Sequence, residues 1–211
     1  MLHQTQNTLA AAAELLGDLR PLLEQIGSPS GMSGASDPLR GRQIHDLPEL
    51  RVFLRNYHAT ILQPLELPAI QSAFLHAGRN ELRELIAIDQ ELSRQSILQN
   101  FASASRHVGR SQLLRLRPLR DQRLVQRYLA AVEQGEAHGW HTLVYGLTLS
   151  VYSLPLRQGL FGYAHQTTRG FIHSAAASLG LSETDGRALL EELCVELPAG
   201  IESLLSQGIT P

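Results

Sequence analysis

The chain contains no lysine, and all 18 of its basic residues are arginine. A phosphate loop needs a lysine at the β and γ phosphates and a pyridoxal phosphate enzyme needs one for its Schiff base, so neither chemistry is open to this protein. Cysteine is almost as scarce. Cys194 stands alone, which rules out an internal disulfide and a zinc cluster built on several thiolates. No apolar run approaches the roughly 20 residues of a membrane span. The opening MLHQTQNTLAAAAELLGDL lacks a basic start and reaches Glu14 and Asp18 early, unlike a secretory signal. Together these absences predict a cytoplasmic protein. There is also no Gly-x-Ser-x-Gly elbow, no His-Glu-x-x-His, no convincing strand and no internal repeat, so enzyme activity has no support in the sequence.

What is present reads as helix. With 211 residues, 43% hydrophobic and 18% charged, the chain can bury a core as one domain. The expectation is an all-α, single-domain bundle of roughly eight to ten helices. Residues 1–45 would form an N-terminal helix plus a Gly/Ser/Pro loop, and 46–211 the helical domain. Residues 4–26 carry an apolar stripe interrupted at Pro21, and 27–38 are dense in turn formers. Asp46-Leu47-Pro48-Glu49 starts a helix by cap, proline and capping-box acid, with Leu50, Phe53, Leu54, Tyr57 and Ile61 as its stripe. Pro64 is expected to end that helix. Leu67-Pro68 opens another that closes near Gly78, Asn80 caps the next through Leu82, Leu85, Ile86 and Leu92, and a further one holds Ile97 to Val108 with Gly109 near its end.

The most specific text lies between His141 and Leu190. Leu143, Leu147, Val151 and Leu154 step by four and three, and Leu156, Leu160, Tyr163, Thr167 and Ile172 continue a helical stripe. Two helices follow, with Ser153 as a cap between them and Pro155 in the first turn of the second. Gly180 suits a left-handed helix end, and Ser182-Glu183-Thr184-Asp185 has capping-box spacing.

Tyr145-Gly146, the turn at Leu154, Tyr163-x-x-Gln166-Thr167, Ser174-Ala175-Ala176 and Leu181-Ser182-Glu183-Thr184-Asp185-Gly186 resemble the C-terminal half of the urease accessory protein F family. Ser105-Arg106-His107-Val108-Gly109-Arg110 is similar to the family's Ser-Arg-x-x-Gly-Arg. The chain departs from it at Ala177, where the family has Arg or Lys, at Gly180 for its Pro, and at Glu183 and Arg187 for two Gln. The family's aromatic N-terminal signature is missing. The resemblance implies a helical, dimerising scaffold of nickel-urease maturation, not an enzyme. Such a scaffold bridges urease accessory protein D (H in some bacteria) and the GTPase urease accessory protein G to apo-urease. It further implies Phe161 and His165 for dimer packing and Tyr163 as a partner contact. Ser182, Thr184, Asp185, Gly186 and Arg187 would shape a partner-facing turn. No cofactor is implied.

Two other features bear on function. Arg106, Arg110, Arg115, Arg117, Arg120, Arg123 and Arg127 place 7 of the 18 arginines in 22 residues, against Asp121 alone. A solvated face is the plainer reading, and an acidic protein is the next. Nucleic acid ranks lower because no aromatic residue is interleaved for base stacking. A helical adaptor whose arginine patch binds an acidic protein or nucleic acid is thus the alternative function. The histidines read as structural or surface groups. Gly139 interrupts the pair His138 and His141, and His165 and His173 stand about 12 Å apart on one helix, too far to share an ion alone. The helix from Leu156 to Ser178, apolar on most sides, is either central or at an interface.

Overall fold

A computed structural model of the chain describes residues 44–207. The helix predicted over 4–26 and the loop over 27–38 lie outside them. Among the described residues the regular elements are all helical. Helix α1 (Leu47–Tyr57) runs through a π-helical segment (His58–Glu66) into α2 (Leu67–Gly78). Then come α3 (Leu82–Arg94), a 3-10 turn (Ser96–Leu98), α4 (Gln99–Arg115), α5 (Arg123–Gln134), α6 (His141–Val151), α7 (Leu156–Leu179), α8 (Glu183–Cys194) and α9 (Leu197–Gln207).

Taken as rods, these residues hold seven: 47–78, 82–94, 96–115, 123–134, 141–151, 156–179 and 183–207. Eight to ten were predicted for the whole chain, the helix over 4–26 included, and the shortfall among the described residues has a local reason. Pro64 does not end its helix. A proline ring in an α-helix collides with the carbonyl four residues back and removes a hydrogen bond. Here the chain widens into π turns around Pro64, and the Leu67 N–H reaches Leu62 O. The rod therefore continues to Gly78. A single turn at residues 195–196 likewise leaves α8 and α9 nearly continuous.

The core is built on α6. Eight consecutive residues, Thr142 to Leu149, are buried, so this helix has no solvent face and must be central. It packs chiefly on α2 and α4. Gly146 permits the first contact, because a Cβ there would stand 2.9 Å from the Ala73 Cβ and nearer still to the Ile70 carbonyl. Gly109 permits the second. Predicted near a helix end, it lies inside α4, where a Cβ would strike the Gly139 carbonyl and come within 2.8 Å of the His141 nitrogen. Close approach, not termination, is its role.

Helix α7 covers the other side, against α8, α9, α2 and α1. Its Phe171 lies edge-on to Tyr57 and Phe53, with ring centroids 4.9 and 5.6 Å away, and joins α1 to α7. Buried rings of this kind contribute about 1.5–3 kcal/mol each. Two predicted caps are corrected. Asn80 and Ser153 both take left-handed backbone, φ 60 and φ 52, and finish the preceding turns. The caps of α3 and α7 are Glu81 and Pro155, without side-chain bonds. At Asp46 the cap is as expected: its carboxylate accepts from the Glu49 N–H at 2.8 Å.

Candidate partner-binding surface

The turn into α8 is assembled from short-range chemistry. Gly180 takes φ 63 and closes α7, with the Leu181 N–H bonded to Ala176 O at 3.1 Å. Ser182 Oγ then accepts from the Asp185 N–H at 3.1 Å and donates to the Asp185 carboxylate at 2.7 Å. The acid thus accepts the hydroxyl's hydrogen bond instead of reaching back to the backbone. Arg187 pairs with Glu183 at 2.9 Å one turn away. Ser182, Glu183, Thr184, Asp185 and Arg187 are exposed, while Gly186 is half-buried with Ile172 Cγ2 3.3 Å from where a Cβ would sit. The result is a rigid polar ridge seated on α7.

The α7 residues are differently placed. Phe161 and Tyr163 are core, 1% and 5% exposed, so they spend their surface inside this chain. His165 is half-buried and stacks on Phe161 with ring centroids 6.1 Å apart. The sequence left these positions divided between core and interface, and for the two aromatics the core takes them.

A clamp that sequence reasoning missed joins α3 to α5 and to the segment before α6. Asp89 is completely buried. Its carboxylate accepts from Tyr128 Oη at 2.7 Å and from the backbone N–H groups of His138, Gly139 and Trp140 at 2.6, 2.9 and 3.4 Å. Trp140 Nε1 donates to Ser93 Oγ at 2.8 Å, the Arg106 guanidinium lies 5.0 Å above the Trp140 ring, and Ser105 Oγ accepts from the His141 N–H at 3.1 Å. One carboxylate on α3 thereby fixes the segment that launches the central helix. The available signal was position: Asp89 falls on the apolar stripe of Leu85, Ile86 and Leu92, where a charge has to be hydrogen-bonded.

A second buried group centres on Glu66, carried inward by the π-helical segment. Desolvation raises its carboxyl to about 7, although hydrogen bonds from Tyr57 and Tyr163 pull the other way. Tyr57 Oη donates to it at 2.6 Å. Desolvation also lowers His58 and His141 to about 4, so both are neutral in the fold. His58 Nε2 shares a hydrogen bond with Thr168 Oγ1 at 2.7 Å, whereas His141 packs against the Tyr145 and Tyr163 rings with Nε2 enclosed and unpaired. Among the described residues no group of three or more His, Cys, Asp or Glu is placed to hold a metal ion, and no helix is long and apolar enough to cross a membrane.

The segment from just before α1 to the end of α8 is also what known sequences share with this chain: the family model UreF matches residues 44–194. The chain belongs to the UreF family. UreF proteins are urease accessory proteins that act in nickel maturation with other accessory proteins and urease, and theirs is an accessory family, not an enzyme family. No curated protein compared with this chain matches it. The UreF match takes in the Asp89 clamp, the π-helical rod and the capped ridge of α8, and stops short of α9.

Proposed function

We propose that this chain is a scaffold of urease maturation, acting in the cytoplasm as a homodimer that bridges accessory protein D or H and the GTPase accessory protein G to apo-urease for nickel insertion. The observation that carries this reading is the UreF match over residues 44–194. The ridge from Ser182 to Arg187 supports it, because its side chains are held in place and exposed without serving the core. In a dimer, Phe161 and Tyr163 would shape the surface from beneath, and His165 is the member of that set nearest to solvent.

The test is capture of the co-expressed accessory proteins by the full chain and by a Thr184→Arg, Arg187→Glu variant. Both positions are exposed, so folding should be retained, with a cost of about 1 kcal/mol from the lost Glu183 pair and the charges altered in the first turns of α8. Capture of at least one accessory protein should fall about tenfold or more, as expected when a bulky or reversed charge enters an interface. Undiminished capture of every accessory protein by the variant would remove the ridge from the binding surface.

A further inference from the structure

Among the described residues, the corner joining α4 to α5 carries arginines that carboxylates do not balance one for one. Elsewhere many arginines meet glutamates: Arg51 and Arg55 share Glu192, Arg94 meets Glu91, Arg157 meets Glu202, and Arg187 meets Glu183. Among the described residues, at the corner only Arg117 does so, with Glu133. Arg115, Arg120, Arg123 and Arg127 are exposed and have no carboxylate partner among the described residues. Arg123 and Arg127 are one turn apart on α5, a like-charge spacing that works against the helix, and Arg123 adds positive charge to a first turn that contains no acid. Leu114, 47% exposed, stands at the edge of the same patch.

The corner is nevertheless firmly built. Leu116 is buried, successive backbone bonds tie residues 113 to 123, and the Gln126 side-chain amide donates to Arg117 O at 3.1 Å and to Leu119 O at 3.0 Å. The guanidinium groups therefore project from a fixed base, so little backbone entropy is lost on binding. Guanidinium forks match carboxylates and phosphates alike in bidentate geometry, so the patch suits an anionic partner, and the absence of stacking side chains decides between the two. No Phe, Tyr or Trp occurs from 106 to 127 to stack on a base.

We propose that this corner is a docking surface for a carboxylate-rich face of a protein partner, with Arg115, Arg120, Arg123 and Arg127 as the pairing groups and Leu114 as an apolar contact at the rim. The helices that carry it, α4 and α5, are not among the principal neighbours of α8. As a site for one of the maturation partners it rests on the scaffold reading above.

The experiment compares the full chain with a variant in which Arg115, Arg120, Arg123 and Arg127 are each replaced by Gln, and with a second in which each is replaced by Lys. Three probes are used: the co-expressed urease accessory proteins, a fluorescein-labelled hexaglutamate peptide, and a mixed-sequence single-stranded DNA. The Gln variant is expected to keep its helicity and Tm while losing about tenfold or more in affinity for the peptide and for at least one accessory protein. The Lys variant should recover only part of the loss, and wild-type binding should weaken steeply with salt. Capture of accessory proteins by the Gln variant equal to wild type would overturn the inference and leave the scaffold reading standing. A wild-type chain that captures no accessory protein, yet binds the peptide through these arginines, would sink the scaffold reading and keep the surface. DNA bound as tightly as the peptide, or tighter, would overturn the assignment to a protein partner.

Discussion

Replacing Asp89 by alanine is expected to cost about 4 kcal/mol of folding stability, because three backbone N–H groups and the Tyr128 hydroxyl would stay buried without an acceptor. Asparagine keeps one carbonyl and should lose about half as much. The damage has a defined place. Residues 138–140 lead directly into α6, which touches α2 and α4 along its length, so loosening that segment unseats the centre of the bundle. Trp140 is the only tryptophan in the chain, and its fluorescence reports on this segment in the same denaturant titration that measures stability. A loss under about 1 kcal/mol would mean that water reaches these donors and that the clamp is not structural.

Replacing Glu66 by glutamine is expected to stabilise the fold at pH 8 by about 3 kcal/mol relative to its effect at pH 4.5, since one unit of pKa difference corresponds to about 1.4 kcal/mol. The sign follows from burial. Glu66 sits near 7 in the fold, raised from 4.5. Below 4.5 the carboxyl is protonated in both states and favours the fold fully. As pH rises toward 7 the unfolded chain ionises while the folded one resists, so stability is lost, and above 7 the loss is complete. Glutamine does not ionise and can still accept from Tyr57 Oη. His58 and His141 act on the other flank. Both are lowered from 6.5 to about 4, so stability falls as pH drops from 6.5 toward 4 in wild type and variant alike. Comparing the two proteins cancels the histidines. A stability difference between the wild-type and Glu66→Gln chains that does not change between pH 4.5 and 8 would contradict the assignment.

The parts of this structure readable from the sequence are those set by neighbours in the chain. The caps at Asp46 and Ser182 and the left-handed Gly180 follow from bonds spanning three to five residues. What the sequence hid depends on distant partners. Gly109 looks like a helix end until the Gly139 carbonyl is laid against it. Pro64 looks like a stop unless the helix can widen, and Asp89, a charge on an apolar stripe, has no visible partner until residues 138–140 arrive from about fifty positions away. The candidate surface divides in the same way. The ridge at 182–187 was legible as a capped turn, whereas an aromatic on α7 could be core or interface, and only the packing of α6 and α2 beside it decides for Phe161 and Tyr163.

The proposed role of this chain is to be held by other proteins while nickel passes to urease. Its most direct test is the nickel content of urease purified from cells that carry the urease genes and the remaining accessory proteins, with and without this chain. Urease is expected to be close to fully loaded when the chain is present and largely empty when it is absent. Equal nickel in the two preparations would contradict it.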